Sequence, residues 1–407
     1  MRSRRAGGPG GRPRGGVAVI FAALLPAFVG MIALSVDLAA MSVAKGQIET
    51  TADAAALAGA RCLFTDNHLV AGASMSAEIA AAQSGATSVA AGNRILGGAP
   101  VVLPNASNLA SGDIVVGYFN SAATPAFTTS VSTSLYNAVQ VRIARDSTHG
   151  GVVPALFGGL MGSHGTSLSA TSIALAQNYQ VGGFSTGTAL NANILPIALD
   201  QTTYNAMIAG NPNHSTTSGM PTDQYAYNAS TGAVTSGSDG LYESKLYPVS
   251  NGSPGNWGTV KIGVSNNGTS TLGAQIRYGI TPDQLSAWAA TFSGQKIQFS
   301  TSTNPPSLPL GGNPGISAGI KSDLDAIIGQ TRLIPIYSAV TGNGNNTSYT
   351  IVKFAGVRLL ASNFQGNPKY VIVQPALVND ATAVAGTPPV PETSWSSGGL
   401  VSLGLVR

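Results

Sequence analysis

Four histidines have the clearest potential in this sequence for metal binding or acid–base catalysis. Histidines in such sites usually recur at fixed spacings, as in the His-Glu-x-x-His helix of zinc peptidases. Here they are scattered through Gly- or Asn-rich loops without any such spacing, at His68, His149, His164 and His214. We therefore predict solvated loop histidines, and neither a metal site nor a cofactor.

Two strings match the Gly-x-Ser-x-Gly turn that presents the nucleophile of α/β hydrolases, at Gly183–Gly187 and Gly315–Gly319. That turn joins a buried strand to a helix, and the catalytic histidine follows the serine in chain order. No helical pattern follows the first string, a proline-rich segment precedes the second, and no histidine occurs after position 214. The sequence therefore predicts no catalytic residue and no enzyme.

The remaining chemically distinctive side chains are one cysteine and three tryptophans. Because Cys62 is the only cysteine, an intramolecular disulfide framework and a cysteine-based metal cluster are both excluded. Tryptophans can stack on carbohydrate ligands, but they more often fill a hydrophobic core. We predict core positions for Trp257, Trp288 and Trp395.

Charged residues are unusually rare and unevenly placed. They make up 9% of the 407 residues, against about 25% in ordinary soluble domains, which argues against a charged cytosolic enzyme. The first 16 residues contain five basic residues and no acid, at Arg2, Arg4, Arg5, Arg12 and Arg14. The rest of the chain is almost neutral, with 15 basic and 16 acidic groups, so the sequence predicts no nucleic-acid binding.

The elements that must position these residues begin with an apolar run at Val17–Val36. Its 20 residues carry no formal charge and would span about 30 Å as a helix, the thickness of a bilayer's hydrocarbon core. The run therefore predicts a single-pass protein of the cytoplasmic (inner) membrane. Because five arginines precede the run, the positive-inside rule predicts its orientation. Its N-terminus would lie in the cytoplasm and its C-terminal region outside. We expect Pro26 to kink this helix rather than end it.

A cleaved signal peptide is the alternative interpretation of this run. The small residues around Ala33–Ser35 would supply the cleavage site. Since signal peptides carry apolar segments of only about 7–15 residues, we expect the segment to be retained.

The helical pattern continues beyond the apolar run. A narrow stripe of mostly small residues recurs at spacings of three and four, while charged residues step by four along another face. Such stripes let helices approach closely, either within one domain or between subunits, and the sequence leaves both alternatives open. The predicted helix-docking residues are Ala44, Ile48, Ala52, Asp53, Ala55 and Gly59.

Four strings of this region resemble a known family. They are Arg14–Ala22, Leu25-Pro26, Ser35–Leu38 and Thr51–Ala60, which give in order a basic start, a Pro-containing apolar helix, an Asp at its outer end and an Ala-rich helix. Together they resemble the N-terminal region of the Flp (Tad) pilus-assembly TadE/TadG-like family. The resemblance implies a bitopic envelope protein that is associated with a pilus or secretion apparatus and has no catalytic role.

Two features depart from the patterns of related proteins. Processed prepilins carry a Glu five residues after the cleaved Gly, but counting from Gly15 and Gly16 gives Ile20 and Phe21. Longer TadG-like proteins contain an Asp-x-Ser-x-Ser metal motif, which this sequence lacks. The resemblance therefore supports neither prepilin-type cleavage nor a metal-dependent adhesion site.

The remaining pattern predicts an α+β fold, in which a long N-terminal transmembrane helix continues into an exported, β-rich region with short helices. Further helices are predicted over 74–92, 271–279, 282–291 and 316–328, and strands over 114–119, 138–143, 167–176, 194–199, 259–264, 333–340, 349–360 and 370–374. A Gly/Ser/Thr-rich stretch at 182–188 marks the predicted domain boundary. The predicted ranges are 1–16 for a cytoplasmic basic segment, 17–60 for the membrane helix and its extension, 61–181 for a first exported α+β domain and 189–407 for a second, β-rich one.

The sequence therefore predicts a non-enzymatic, membrane-anchored accessory or minor structural component of a Flp-type pilus or secretion apparatus. Its expected partners are the membrane and other pilus-assembly or pilin-like proteins, and not nucleic acid. The alternative is a surface-exposed adhesin or envelope-binding protein that uses the same anchor.

Overall fold

A computed structural model describes residues 16–70, 72–158, 162, 165–210, 222–246, 257–299, 306–313, 318–342, 346–364, 369–386 and 399–406. Several predictions lie outside these residues. They concern the basic segment before residue 16, His164, His214, Trp395 and most of the second Gly-x-Ser-x-Gly string.

The described residues form six α-helices, which are α1 (Gly16–Cys62), α2 (Ser76–Gly92), α3 (Gln201–Ala209), α4 (Thr269–Tyr278), α5 (Pro282–Ala289) and α6 (Lys321–Asp325). The predicted helices over 17–60, 74–92, 271–279 and 282–291 are confirmed as α1, α2, α4 and α5, and α1 continues through Pro26. A helix is predicted over 316–328, but the α-helix observed there, α6, is shorter. A 3-10 turn at Ala318–Ile320 precedes it, and it ends at Asp325.

The strands are β1 (Ile114–Phe119), β2 (Phe127–Thr128), β3 (Ala138–Arg145), β4 (Val153–Pro154), β5 (Gly165–Thr166), β6 (Leu168–Tyr179), β7 (Val181–Phe184), β8 (Ile197–Asp200), β9 (Tyr225–Asn228), β10 (Ala233–Ser236), β11 (Ser244–Leu246), β12 (Trp257–Val260), β13 (Ile297–Gln298), β14 (Leu308–Asn313), β15 (Thr331–Thr341), β16 (Thr347–Asn363), β17 (Tyr370–Pro375), β18 (Ala383–Ala385) and β19 (Leu400–Val406). Every strand predicted from the sequence overlaps one of these. The long helix followed by a β-rich region with short helices confirms the α+β class.

Two compact units make up the described chain. The first consists of Gly85–Val115, Gln140–Ser172 and the described residues up to Ala56, and the second consists of Leu57–Ser84, Val116–Val139 and the described residues from Ile173 onward. Each unit combines segments that are far apart in sequence, whereas the sequence predicts consecutive domains at 61–181 and 189–407. That consecutive division stays a prediction. The stretch 182–188, predicted as the boundary between these domains, includes the end of β7. In the structure, β7 is the central strand of a three-stranded sheet, between β13 and β18.

The first unit buries mostly small and branched side chains. On α1 and α2 they recur at spacings of three and four, which places them on one face of each helix. They include Ala33, Ala44, Ile48, Ala52, Ala55, Ala86, Ala90, Ile95, Val141, Ile143 and Val153. Strands β4 and β5 form a short antiparallel pair in this unit.

The second unit is organised around a closed circuit of strand pairings, β16–β14–β12–β8–β15–β16, which β17 and β11 extend. Along β15, Leu333 and Tyr337 join one apolar cluster, whereas Ile334 and Ile336 join another. This alternation follows from the two-residue period of a strand, which sends successive side chains to opposite faces. The circuit therefore has apolar side chains packed on both of its faces.

A five-stranded sheet has the order β19-β6-β3-β1-β2. Its edge strand β19 pairs antiparallel with β6 over seven positions, from Leu400 opposite Tyr179 to Val406 opposite Ile173. The two strands of this pair lie more than two hundred residues apart in the chain.

Candidate functional site

The first half of α1 leaves an apolar surface exposed. From Val19 to Val36, almost every side chain is exposed, including those of Phe21, Leu25 and Ile32. The helix is long and apolar enough to cross a membrane by length and composition. Together these observations suggest a single-pass membrane anchor, because a helix that is apolar all round needs an apolar environment.

The second half of α1 is buried on one face only. The face runs from Ala33 and Asp37 through the predicted docking stripe, where Ala44, Ile48, Ala52, Ala55 and Gly59 are all buried by the chain itself. Asp53 is the predicted docking residue that stays partly exposed. In the structure, this stripe packs against other residues of the same chain, which is one of the two alternatives that the sequence leaves open. Docking on another subunit stays a prediction.

A side-chain hydrogen bond ties this face to the segment that follows α2. The Gln47 side-chain oxygen lies 2.8 Å from the backbone nitrogen of Leu96, which donates the hydrogen bond. On the opposite side of α1, Lys45 and Glu49 form an exposed pair with 3.9 Å between Nζ and Oε1. The helix therefore presents charges to solvent and small side chains to the interior.

Asp37 holds a loop against α1 at the end of the apolar run. Its carboxylate accepts hydrogen bonds from the backbone N–H of Leu156, at 2.7 Å to Oδ1, and of Phe157, at 3.1 Å to Oδ2. The Asp37 side chain is buried, and such charge-assisted bonds compensate a buried carboxylate for its lost hydration. The loop keeps its own apolar side chains on the surface, because Leu156 is 68% exposed and Phe157 is 42% exposed.

A second polar cluster corrects the prediction for His149. Instead of a solvated loop residue, it is a buried one, with its Nε2 3.0 Å from Asp113 Oδ2 and its Nδ1 2.7 Å from Asp146 Oδ1. The guanidinium of Arg142 lies 3.4 Å from Asp113 and 3.5 Å from Asp146. Hydrogen bonds from His149 and from Thr148 hold the pKa of Asp146 well below its usual range. The cluster therefore links β3 and the turn that follows it to Asp113, which lies immediately before β1. We call the four residues Asp113, Arg142, Asp146 and His149 the polar clamp.

This clamp has the character of a structural element. Asp113 lies immediately before β1, and its Oδ2 also accepts a hydrogen bond from the backbone N–H of Leu103 at 2.8 Å. Within the described part of the chain, no group of three or more His, Cys, Asp or Glu is arranged to hold a metal ion. The buried carboxylate of Asp113 is paired with His149 and with the guanidinium of Arg142, as a buried charge requires.

The prediction for His68 is also wrong. This side chain is buried, with Nδ1 3.4 Å from the carbonyl oxygen of Ser134. Burial lowers the pKa of His68 to about 4, because the cation loses its hydration. His68 is therefore neutral at neutral pH.

The remaining sequence candidates have structural roles where they are described. The backbone N–H of Ser185 donates to the carbonyl of Thr382, and the Ser185 hydroxyl accepts a hydrogen bond from the N–H of Gly187. As predicted, no helix follows this string before β8. Trp288 is a core residue, packed beside Phe184 and Phe354. The side chain of Trp257 lies outside the described residues.

Two family models match overlapping parts of the region that contains Asp37, the docking stripe and the polar clamp. Residues 15–61 match the family described as Flp pilus-assembly TadE/G-like, and residues 50–174 match the one described as Tad-like Flp pilus-assembly. The N-terminal region therefore matches the Flp (Tad) pilus-assembly family that its sequence resembles. No curated protein and no solved structure matches the chain.

We call residues 15–174 the Tad region. Its two domains indicate involvement in Flp pilus assembly, and these families are not families of enzymes. The match also suggests association with the membrane and with other pilus components. The matched ranges stop at residue 174, so they do not describe the closed strand circuit of the second unit.

Sequence reasoning noted Asp37 within the family pattern but missed its partner loop and the role of His149. A local signal for Asp37 is an isolated acid directly after a membrane-length apolar run. For His149 the signal is the turn Asp146-Ser147-Thr148-His149, in which the Asp146 carboxylate accepts from the backbone N–H groups of Thr148 and His149. The contribution of Asp113 leaves no local signal.

Proposed function

We propose that this protein is a non-enzymatic, membrane-anchored accessory or minor structural component of a Flp-type pilus or secretion apparatus. In this proposal α1 crosses the cytoplasmic (inner) membrane, with its N-terminus in the cytoplasm and the rest of the chain outside. One observation carries the proposal: α1 is a continuous helix within the Tad region, and its exposed, membrane-length apolar half leads directly into a half that the rest of the chain buries on one face.

The orientation is tested with a reporter that is active only in the periplasm. We expect activity from a fusion after Gly59 and none from a fusion at Gly11. Replacing the five N-terminal arginines by Gln should weaken this bias, because basic residues next to the span set the orientation. An inactive Gly59 fusion in intact wild-type cells would contradict the proposed topology.

Association with the apparatus is tested by purifying the tagged full-length chain and identifying the pilus components that are recovered with it. Asp53 is the predicted docking residue that keeps a partly exposed side chain, so Asp53→Ala should lower recovery if α1 contacts a partner. Glu49→Ala is the matched control, since it removes the same charge one turn earlier on an exposed face. Recovery of pilus components that is equal for both variants and wild type would leave α1 as an anchor only. Recovery of none from wild type would contradict the proposed association.

An adhesin or envelope-binding protein is the second candidate, and a cavity of about 450 Å³ in the second unit favours it. Its lining includes Tyr227, whose ring lies under the Arg358 guanidinium at 3.4 Å, and Asp66, whose Oδ2 lies 2.5 Å from an Arg358 nitrogen. Polar and aromatic groups together suit a glycan. Selective retention of the full chain on a glycan array, lost in Tyr227→Ala, would favour this candidate.

A further inference from the structure

We propose that the segment Val152–Phe157, which comprises the short strand β4 and the turn after it, inserts its exposed apolar side chains into the lipid boundary on the outer side of the membrane, where Asp37 positions it. We call Val152–Phe157 the boundary loop. This inference rests on the proposed membrane anchoring by α1 and adds a second contact with lipid, which lies outside the span itself.

The depth of the boundary loop follows from helix geometry. The centre of the run Val17–Val36 lies between Pro26 and Ala27, and Asp37 lies about 16 Å further along the axis at a rise of about 1.5 Å per residue. Half of a hydrocarbon core is about 15 Å. If the run is centred in the bilayer, Asp37 is at the edge of the hydrocarbon. The backbone nitrogen of Leu156 is 2.7 Å from Asp37 Oδ1, so the boundary loop lies at the same level.

The chemistry of the boundary loop suits an apolar environment. Gly150 to Gly162 contains no charged residue, and the side chains of Val152, Leu156 and Phe157 are exposed although Val153 is fully buried. Large apolar side chains that remain exposed next to each other mark contact surfaces. The two N–H groups at Leu156 and Phe157 donate to Asp37, which leaves fewer backbone groups that need water.

Continuity with the membrane half of α1 identifies lipid as the occupant. Leu34, Val36 and Leu38, on either side of Asp37, are exposed. The apolar surface of the helix therefore continues up to and past the residue that holds the boundary loop. Because the Asp37 carboxylate is buried between helix and loop, its charge is not presented to the bilayer. Burial of apolar area at the headgroup and acyl boundary is favourable in the same way as for interfacial helices.

The test uses the full-length protein, with Cys62→Ala as background, reconstituted in vesicles of phosphatidylethanolamine and phosphatidylglycerol. Single cysteines are introduced by Leu156→Cys, Leu25→Cys and Val43→Cys and labelled with an environment-sensitive fluorophore. Quenching by lipid-attached nitroxide is then compared with quenching by iodide in the water. Val43 is the matched control, because it is 53% exposed on the same helix and about 9 Å beyond Asp37.

We expect strong lipid quenching at Leu25 and at Leu156, and dominant iodide quenching at Val43. Asp37→Ala should shift the label at position 156 towards iodide quenching and leave the label at position 25 unchanged. Asp37→Asn, which keeps one acceptor, should give a smaller shift. Near-ultraviolet circular dichroism establishes that each variant is folded.

The outcomes separate the two proposals. A label at position 25 that lipid does not quench contradicts the membrane anchoring itself. Lipid quenching at position 25 together with iodide quenching at position 156 overturns the boundary loop alone. Protection of position 156 from both quenchers means that a protein, such as a second copy of this chain, covers the loop, and this also overturns contact with lipid. If Asp37→Ala is folded and its label at position 156 is quenched as in wild type, Asp37 does not position the boundary loop.

Discussion

The two halves of α1 belong to one uninterrupted helix and face different surroundings. Up to Val36 the side chains are uncharged, mostly large and almost all exposed. Beyond Asp37 the helix buries a stripe of Ala, Gly and Ile and turns Lys45 and Glu49 to solvent. Lipid can surround apolar side chains of any size on every face of a helix. Close packing against protein, in contrast, requires small side chains on the face that is in contact. The difference teaches that residue size along a helix, and not hydrophobicity alone, distinguishes a lipid-facing segment from a protein-facing one.

The largest expected effect comes from placing a charge in the membrane half. We expect Leu25→Arg to impair membrane insertion, since a central arginine costs about 2.5–3.5 kcal/mol on the insertion scale. Leu25 is 59% exposed and Val43 is 53% exposed, so Val43→Arg is a matched control that should insert normally. The measurement is the fraction of protein that stays in the membrane after alkaline washing. If both variants stay to the same extent, the two halves do not differ in their surroundings.

Protonation of the buried His68, which follows the end of α1, should destabilise the fold by nearly as much. The pKa of His68 is lowered to about 4 by burial, against an ordinary value near 6.5, so the unfolded chain binds the proton more readily between these pH values. The stability that the neutral side chain provides is therefore fully present above about pH 6.5 and is lost as the pH falls towards 4, by up to about 3 kcal/mol.

Chemical denaturation at pH 7, 5 and 4 measures this loss, with His68→Gln as the comparison. The variant should show a flatter dependence of stability on pH in this interval. The nearby Glu78 carboxylate opposes the shift, and its hydrogen bonds with Thr65 and Asn67 are present in both proteins. Identical pH profiles for the two proteins would contradict the assignment to His68.

Overpacking the small stripe tests the protein-facing half directly. Ala52 and Ala55 are fully buried, so Ala52→Leu and Ala55→Leu should each lower the free energy of unfolding by about 1–3 kcal/mol. Thr50→Leu adds a similar side chain on the exposed face and should change stability little. Thermal unfolding and pilus assembly are measured on the same variants. Loss of assembly with unchanged unfolding would instead favour docking of the stripe on another subunit.

The smallest expected effect concerns the solvent-facing side of the same half. Lys45→Ala breaks the exposed pair with Glu49 and should cost at most about 0.5 kcal/mol, with less effect at high salt. Urea denaturation at low and high salt measures it, with Thr50→Ala as a substitution outside the pair. A larger loss, or one that salt does not reduce, would show that this face is covered by protein.

The local parts of the fold could be predicted because local patterns determine them. The apolar run and the three-and-four spacing predict α1, and the β-branched run Ile114–Phe119 predicts β1 with its observed limits. Helix α3 was missed because Gln201-Thr202-Thr203-Tyr204 lacks an apolar period. Its ends instead define it, with Asp200 accepting from the Thr203 N–H at 2.8 Å and Gly210 closing the helix at a φ of 56°.

The polar parts of the candidate site depend on distant residues. Asp37 and Leu156 are 119 positions apart, and Asp113 and His149 are 36 positions apart. Because composition and periodicity carry information only over a few turns, neither contact leaves a local pattern at both of its ends. The same limit explains why His68 and His149 were predicted as solvated, although each is buried by segments remote in sequence.

The pairing of β19 with β6 sets an order for biosynthesis. Residues 173–179 leave the ribosome more than two hundred residues before 400–406, so during that interval the outer edge of β6 has no native partner. An open strand edge is a template for pairing with other chains, and it stays so until the distant strand arrives. Translation that stops before residue 400 therefore leaves this edge open, and we expect the resulting fragments to aggregate more readily than the complete chain.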